Sequence, residues 1–374
     1  MRNILILLLV FSLLSCVDKN SRPERDFTEV WHFKNEGTPK LISECVDSVI
    51  YLPLRLNQES MFRKIDKIVF KNGLMYIGDF RTRKVVICDM DGSVRFVLNR
   101  LGSGEGEYKE IASFAVTEHY IYVLDNYSRR VYMYDALTGK YSGRKELPVV
   151  AWDVEPLAND RFLLAFVPIR EGKLSKEQEN CMIFVTDSDF NIMEGLLPFD
   201  DDYSEPYAPP SCYFTTYNDS IYFTSYAFDG VTVFPRSHPE NYSRIGIDFE
   251  NKLSDKERFD AEKIARSNAC YLGSTPFFCG NYVALDITEG EYGQTCLYDR
   301  EDSTFYHNPS DDDADCFNAL IPPVGNYGNC FVSVAPDDYE TYKYLVDYGF
   351  KKASIEVEEY IKNGEWVLLF YTMK

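Results

Sequence analysis

The chain has 374 residues and a formal net charge of -20 at pH 7. Nucleic-acid phosphates require clustered lysine and arginine, so this charge argues against a nucleic-acid partner and against adsorption to anionic lipid through a basic face. Aromatic residues make up 15% of the chain, including 28 Tyr and 26 Phe, and such residues favour β-strands.

The first residues predict export from the cytoplasm. Arg2 precedes an apolar run, Ile4–Leu14, which is too short for a membrane-spanning helix of roughly 20 residues and is typical of a signal peptide. The run ends in Leu-Leu-Ser-Cys16, which resembles a bacterial lipobox. This resemblance implies that residues 1–15 are a signal peptide that is removed and that Cys16 is lipidated. An ordinary signal peptide with an incidental cysteine is the alternative.

The residues after the lipobox indicate where the protein is held. Val17 follows the cysteine, so the aspartate retention signal of enteric bacteria is absent and we expect an outer-membrane lipoprotein. Which face it occupies stays open. Residues 16–44 are predicted to form the lipidated cysteine and a tether, and residues 45–374 the folded domain. The membrane contact is then through the lipid anchor alone.

The ten cysteines do not predict a disulfide framework or a zinc site. Lipidation of Cys16 leaves an odd number, and no CxxC pair is present. Most lie in strand-like runs and are interpreted as buried free thiols. Cys270 with Cys279, and Cys316 with Cys330, remain candidates for pairing in an oxidising periplasm.

An internal repeat runs along the chain. Two stretches share a strand ending in aspartate, then a basic pair, a valine and a second aspartate, 46 residues apart. The matching residues are Asp79, Arg83, Lys84, Val85 and Asp89 in the first copy and Asp125, Arg129, Arg130, Val131 and Asp135 in the second. Weaker copies follow at Arg161–Phe166, Ser220–Thr224, Tyr282–Asp286 and Cys330–Val334. Six units roughly 40–60 residues apart have the period of propeller blades.

The two ends of the chain predict how a ring would close. The sixth unit stops after the strand Trp366–Tyr371, one strand short, and the strand-like segment Ser48–Leu54 can supply the missing one. Residues 251–266 and 337–362 have helical patterns. We therefore predict an all-β fold, a six-bladed β-propeller whose N-terminal strand closes the last blade, with short helical insertions.

Residues 45–373 resemble the six-bladed β-propeller lipoproteins of Bacteroidetes-type bacteria, which are distantly similar to NHL-repeat propellers. The resemblance is carried by Asp47–Leu54, by the repeated aspartate and by Gly102–Tyr108, which is similar to the family's G-x-G-P-G-E-Y with Glu105 in place of proline. The resemblance implies the fold, whereas function must be argued from a site.

Two motifs admit a ligand-binding and a structural interpretation. The glycines of Gly102–Gly106 are spaced as in a phosphate loop, but a strand follows them where a helix is needed, which favours a blade-to-blade turn. Asp89–Gly92 is similar to the start of a calcium loop but lacks the later ligands, which favours a hairpin turn. The acidic run Asp311–Asp315 is interpreted as a solvated loop in preference to a calcium site.

The sequence favours binding over catalysis. It contains four histidines, well separated, and no nucleophile elbow or HExxH motif. We expect the innermost strands to include residues 63–68, 111–116, 150–154, 211–214, 268–272 and 316–320, with Arg63, Asp66, Asp153 and Asn318 as their main polar members. That set is small for a metal site, and we expect no metal or cofactor. The leading hypothesis is a non-catalytic binding or scaffold propeller for a glycan, peptide or protein partner. The alternative is a metal-dependent hydrolase or lyase with its site in the central channel.

The repeat also suggests a contact surface. The basic residues beside the loops after Asp79 and Asp125 are candidates to line one rim of the ring and attract an acidic ligand. In the alternative interpretation, each aspartate stabilises its own turn and the basic residues are solvated. The candidate rim comprises Arg81, Arg83, Arg129 and Arg130.

Overall fold

The computed structural model describes residues 27–374, except for 35, 37, 39, 41, 167–173, 175–177, 179–180, 199–211, 226–228, 255–265, 290–291, 308–319 and 348. The predicted signal peptide (1–15) and Cys16 therefore lie outside the described residues. So do the acidic run 311–315 and most of the predicted helix at 251–266.

The described strands form six sheets, numbered here as blades in chain order. Before the first blade come β1 (Glu29–Phe33), α1 (Ile42–Cys45) and β2 (Val46–Pro53). Blades 1 to 3 contain, from the innermost strand outward, β3 (Lys67–Lys71), β4 (Leu74–Asp79), β5 (Lys84–Asp89) and β6 (Val94–Leu98); β7 (Ser113–Val116), β8 (Tyr120–Asp125), β9 (Arg130–Asp135) and β10 (Tyr141–Glu146); and β11 (Ala151–Pro156), β12 (Phe162–Phe166), β13 (Cys181–Thr186) and β14 (Ile192–Pro198).

Blades 4 to 6 follow the same order with local additions. They contain β15 (Phe214–Tyr217), β16 (Ser220–Phe223), β17 (Gly230–Pro235) and β18 (Ser243–Phe249), with a 3₁₀ turn at Pro239–Asn241; β19 (Cys270–Leu272), β20 (Phe277–Cys279), β21 (Tyr282–Glu289), β22 (Tyr292–Asp299) and β23 (Thr304–Tyr306); and β24 (Pro323–Tyr327), β25 (Cys330–Val334), α2 (Tyr339–Asp347), α3 (Ile355–Lys362) and β26 (Val367–Met373).

The innermost strands form a closed ring. β3, β7, β11, β15, β20 and β24 each contact the next, and β24 contacts β3 again. Most residues of the middle strands are buried on both faces because neighbouring blades pack against them. In β4, Leu74 and Tyr76 belong to the cluster shared with blade 2, while Met75 and Ile77 belong to the cluster shared with blade 6. This two-residue alternation is the pattern expected of a strand between two packed layers. The predicted six-bladed β-propeller is confirmed.

The ring closes through its two ends. β2 is the outermost strand of blade 6 and pairs antiparallel with β26, from Val46 opposite Met373 to Pro53 opposite Val367. The predicted pairing of 48–54 with 366–371 is thereby confirmed. The Asp-Gly turn of blade 1 lies against this closure: Gly92 has a φ of +85°, and a Cβ there would lie 2.1 Å from the Pro53 carbonyl oxygen. A side chain at that position would push the turn away from the closing strand.

A further strand from the N-terminal segment joins blade 4. β1 pairs in parallel with β18, and Trp31 stacks on Tyr298 of blade 5 with ring centroids 4.4 Å apart. Phe33 packs edge-on against Phe249 of blade 4 and Phe305 of blade 5. β1 lies within the segment 16–44 that the sequence assigns to a tether, so the folded body begins before residue 45.

The predicted inner strands need two kinds of correction. In blades 1 to 4 they begin one to four residues later than expected. In blade 6 the innermost described strand is Pro323–Tyr327, and residues 316–319 of the predicted 316–320 lie outside the described residues. In blade 5 the predicted 268–272 is β19, which pairs with the C-terminal part of β21. The strand β20 pairs with the N-terminal part of β21 and contacts the inner strands of blades 4 and 6, so β20 is the inner strand of this blade. Gly273 and Pro276 lie between β19 and β20, and proline cannot donate a ladder hydrogen bond.

The helical pattern at 337–362 is confirmed as two short helices, α2 and α3, between β25 and β26. Tyr342 and Leu345 are buried on one side of α2, as the pattern predicts. The Tyr342 hydroxyl accepts a hydrogen bond from the Ala353 N–H at 2.8 Å, which ties the start of α3 to α2. In the part of the chain that is described, no helix is both long enough and apolar enough to span a membrane.

Candidate functional site in the central channel

The repeated aspartates stabilise the loops at the end of the ring where the inner strands begin. Asp79 is fully buried; its Oδ2 accepts the Arg63 N–H at 2.7 Å and its Oδ1 accepts the Thr82 N–H at 2.9 Å. Asp125 does the same in blade 2, accepting the N–H groups of Lys109 (2.8 Å) and Ser128 (3.1 Å). Each aspartate thus joins the turn after its own strand to the segment entering the blade, which is the structural interpretation of the repeat.

The glycine-rich segment is also a structural turn. Glu107 Oε2 accepts the Gly104 N–H at 2.7 Å, which occupies a backbone donor that a phosphate loop would present to its ligand. The Tyr108 hydroxyl donates to the backbone oxygen of Arg83 at 2.9 Å, and its ring is fully buried. This geometry confirms the predicted blade-to-blade turn.

The structure places Arg81, Arg83 and Arg129 in the turns between the second and third strands of blades 1 and 2, and Arg130 at the first position of β9. Arg83 and Arg129 occupy equivalent positions with φ of +59° and +52°. Arg81 is exposed, and Arg130 pairs with Glu146 of the outer strand β10 at 2.9 Å. None of the four lines the central cavity described below.

A buried ion pair connects the inner strands of four blades. Lys67 Nζ of blade 1 lies 2.9 Å from Asp153 Oδ1 of blade 3 and 3.2 Å from Ser113 Oγ of blade 2. Ser113 donates a short hydrogen bond to the same carboxylate oxygen. Asp153 Oδ2 accepts the N–H groups of Tyr213 and Phe214 at the start of blade 4, both at 2.9 Å. Asp153 is therefore the hub of the ring at this end.

The surroundings of the pair determine its charge state. Burial alone would lower the pKa of Lys67, but the adjacent Asp153 carboxylate outweighs this effect and raises the pKa above its ordinary value. Asp153 accepts five hydrogen bonds in total, the fifth from the Val154 N–H, so its oxygens have no lone pair to spare for a metal ion.

Of the other polar inner-strand residues predicted from sequence, Asp66 makes local contacts. Asp66 accepts the Phe80 N–H at 2.9 Å and pairs with Lys64 at 3.1 Å. Arg63 is exposed, and Asn318 lies outside the described residues. Across the described residues, no three His, Cys, Asp or Glu side chains are grouped so that they could hold a metal ion.

A cavity of about 920 Å³ occupies the channel on the side of blades 4, 5, 6 and 1. Its wall carries aromatic rings, among them Phe214, Tyr217, Phe277 and Tyr327. The Asn326 side chain crosses between blades, donating to the backbone oxygens of Thr216 at 2.6 Å and Phe278 at 3.2 Å. A concave space of this size with apolar walls and a few polar groups is the usual form of a ligand site.

The charged groups of the cavity wall, as far as it is described, are Lys64, Asp66, Lys67, Glu155 and Asp286. The first three belong to the ion pairs given above. Glu155 pairs with Arg236 at 2.9 Å. Asp286 differs from the others because its carboxylate has no hydrogen-bond or ion-pair partner among the described residues. The surrounding protein wall partly desolvates it and so raises its pKa above the ordinary value, although the side chain remains open to the cavity.

The register of blade 5 explains how Asp286 comes to face the cavity. The sequence repeat aligns Asp286 with Asp79. In blade 1, Leu74 lies opposite Asp89, and Asp79 follows Leu74 by five residues. In blade 5, Tyr282 lies opposite Asp299, and Asp286 follows Tyr282 by only four residues. An offset of one residue moves a side chain to the other face of a strand. Asp286 therefore cannot act as the turn-stabilising aspartate of its blade, and sequence comparison alone did not reveal this.

The cysteines add no further chemistry to the site. Cys270 pairs with the end of β21 at Glu289 and Cys279 with its start at Tyr282, so these two cysteines lie at opposite ends of β21 and the candidate disulfide between them is not formed. Cys316 lies outside the described residues, and Cys330, the other candidate of that pair, forms no disulfide and has its Sγ 3.4 Å from Thr372 Oγ1. Cys212 lines the cavity and donates to the Asp66 backbone oxygen at 3.3 Å; burial raises the pKa of its thiol, opposed by the charge of Lys67.

Comparisons with known proteins agree with the fold. A family model described as a domain of unknown function, DUF4934, matches residues 28–363. The crystal structure of a protein from Bacteroides fragilis, described as exported, is similar with a TM-score of 0.74 and 19% identity, covering 92% of this chain and 99% of that one. A DUF4221-family structure from Bacteroides vulgatus has a TM-score of 0.48 and 11% identity, covering 91% and 99%. Among curated proteins no match was found.

Proposed function

The chain belongs to the DUF4934 family, and on that premise we propose that it is a non-catalytic binding propeller of the cell envelope whose ligand occupies the central cavity. The observation that carries this proposal is the cavity of about 920 Å³ lined by residues of blades 1, 3, 4, 5 and 6, with one carboxylate, Asp286, left without a partner among the described residues. Three carboxylates of the channel are already engaged: Asp153 accepts five hydrogen bonds, and Asp66 and Glu155 are held in ion pairs, which leaves Asp286 as a single carboxylate rather than part of a catalytic set.

The proposed location follows from the sequence. A lipid on Cys16 would hold the propeller at the outer membrane through the segment before β1. Intact-mass measurement of the native protein tests this: we expect a chain that begins at Cys16 and carries acyl groups. An unmodified N-terminus at another residue would contradict the lipoprotein proposal without affecting the cavity.

The binding proposal is tested by closing the cavity. Gly293 lines it, is exposed and has no positive φ, and a Cβ there would meet only Asp286 Oδ1 and Thr288 Oγ1, both at 3.8 Å. Gly293→Phe should therefore add an aromatic ring to the cavity wall and reduce the space for a ligand without a backbone clash. Leu137→Phe, at an exposed turn of blade 2, is the control for adding an aromatic ring to the surface.

The mature protein and both variants are screened by isothermal titration calorimetry against neutral oligosaccharides and short peptides. We expect a probe that binds the wild type and Leu137→Phe equally and Gly293→Phe at least tenfold more weakly. Equal binding to all three would place the site outside the cavity, and no binding by any probe would overturn the proposal for these ligand classes.

The arginine rim remains a separate proposal. Its members lie beside blades 1 and 2, away from the cavity wall, so they would contact only a ligand that extends beyond the channel. Alanine at Arg81, Arg83, Arg129 and Arg130 together should weaken such a ligand. Unchanged affinity would show that this rim takes no part.

A further inference from the structure

We propose that the cavity recognises a lysine or arginine side chain of an extended peptide, with Asp286 as the counter-ion of the bound cation. This inference rests on the proposed binding function and specifies its ligand class.

The first argument is the charge balance of the cavity. Asp66 is paired with Lys64, Glu155 with Arg236, and Lys67 with Asp153, at distances of 2.9 to 3.1 Å. Within each pair the two opposite charges neutralise each other. Asp286 alone is left with a negative charge that no described residue offsets, so a ligand that supplies a positive charge there completes the pairing. Charge complementarity of this kind provides specificity, and the net charge of -20 on the chain attracts cations towards the site.

The second argument is access to the carboxylate. Glycines flank it on both sides: a Cβ on Gly273 would lie 3.0 Å from Asp286 Oδ2, and one on Gly293 would lie 3.8 Å from Oδ1. Side chains at these two positions would cover the oxygens. With glycine there, Asp286 is exposed to the cavity, and a donor group can approach both oxygens, as a guanidinium or ammonium group requires.

The third argument is the apolar surface beside the carboxylate. Ala284 lies two residues before Asp286 on the same face of β21, and it pairs with Phe277 of β20. Both residues line the cavity, as do Phe214 and Tyr217 of β15. The aliphatic stem of lysine or arginine packs on such a surface while its charged end reaches the carboxylate. The cavity is larger than one side chain, which leaves space for the neighbouring residues of a peptide.

A neutral glycan fits these observations less well. Its hydroxyl groups can donate hydrogen bonds to Asp286 but leave the negative charge unbalanced. The three tryptophans, Trp31, Trp152 and Trp366, all lie outside the cavity wall, so the ring type best suited to stacking on sugars is absent from the described lining. An anionic ligand would be repelled by Asp286. A peptide cation is therefore the ligand class that uses the carboxylate, its access and the apolar wall together.

The experiment compares two peptides on the full mature protein by isothermal titration calorimetry. The probes are acetyl-Gly-Phe-Lys-Phe-Gly-amide and the same peptide with norleucine in place of lysine; cellotetraose serves as the neutral glycan. The variant is Asp286→Asn, which keeps the side-chain shape and removes the charge. Asp160→Asn, at an exposed turn outside the cavity, is the matched control. Circular dichroism melting checks that both variants fold.

We expect the lysine peptide to bind the wild type and Asp160→Asn equally, and Asp286→Asn at least tenfold more weakly. The norleucine peptide should bind wild type and Asp286→Asn alike, and more weakly than the lysine peptide binds wild type. Equal affinity of both peptides for wild type would overturn the inference. Binding of cellotetraose that is lost in Gly293→Phe but unchanged in Asp286→Asn would leave the binding function intact and overturn the peptide assignment. If no probe bound the wild type, both proposals would fall.

Discussion

Replacing Asp153 by asparagine should destabilise the ring more than any surface charge change. The amide keeps the size of the side chain, but it cannot balance the charge of Lys67 and it presents its own N–H donors to other donors. Removing one member of a buried ion pair costs about 3–5 kcal/mol. The N–H groups of Tyr213 and Phe214 also lose their acceptor, at about 1–3 kcal/mol each when buried. Because such contributions are not fully additive, we expect a loss of about 5 kcal/mol or more in the free energy of unfolding.

The assay is urea unfolding followed by tryptophan fluorescence, with Asp89→Asn as the control. Asp89 pairs with Arg95 at 2.6 Å, but both side chains are well exposed, so its loss should cost less than about 1 kcal/mol. If Asp153→Asn does not fold, Ser113→Ala removes a single donor to Asp153 and should cost about 1–3 kcal/mol.

The pH dependence provides a second readout. In the wild type the pKa of Lys67 is raised. The stabilisation from its pairing with Asp153 is therefore fully present below the pKa of lysine in the unfolded chain, about 10.4, and is lost only as the pH rises through the pKa in the folded protein. In Asp153→Asn, burial without a counter-ion should lower the pKa of Lys67 below that of the unfolded chain. The free energy of unfolding of the variant should then increase as the pH is raised from about 7 to about 9.5, so that the stability difference between the variant and the wild type becomes smaller. A loss of under 1 kcal/mol, or a difference independent of pH, would refute the hub role of Asp153.

Three further predictions use the same urea assay. Asp79→Asn should lower the free energy of unfolding by about 1–3 kcal/mol at pH 7. Burial alone would raise the pKa of Asp79, but the backbone hydrogen bonds that it accepts outweigh burial and lower the pKa. The stabilisation by Asp79 in the wild type is therefore present above about pH 4 and lost as the pH falls through the folded pKa, and Asp79→Asn should not show this acid-dependent loss of stability. Trp31→Ala should cost about 3–5 kcal/mol, because the ring is fully buried and stacks on Tyr298; no change would mean that β1 is not held to the ring. Tyr342→Phe should cost about 1–3 kcal/mol by leaving the Ala353 N–H without its acceptor, and a cost under about 0.5 kcal/mol would show that water replaces it.

The fold was predictable from the sequence because its signals are local and repeated. Three signals each predict the same six-bladed propeller and so support one another: the strand patterns, the Asp-Gly turn at Gly92 and the missing strand of the sixth unit. The repeat even indicated the role of Asp79 and Asp125, since an aspartate that recurs with its turn is more economically explained by the turn than by a ligand.

The candidate site was not predictable because its parts are far apart in sequence and differ between blades. Lys67 and Asp153 are 86 residues apart and no repeated pattern links them. Asp286 occupies a repeat position whose register is shifted by one residue, which only the pairing in the sheet reveals. The inner strands were the least accurately placed elements because they are short and carry little alternation of their own.

The pairing of β2 with β26 also determines when the ring can form. Its partners, from Val46 with Met373 to Pro53 with Val367, lie almost a full chain length apart. Contacts of such high sequence separation slow folding, because the intervening loop must close before they contribute. A chain that emerges from its N-terminus, from a ribosome or through a translocation pore, holds β2 without a partner until β26 has emerged. Until then β2 cannot join the sixth blade, and the unpaired edge of β2 is the surface to which a chaperone would bind.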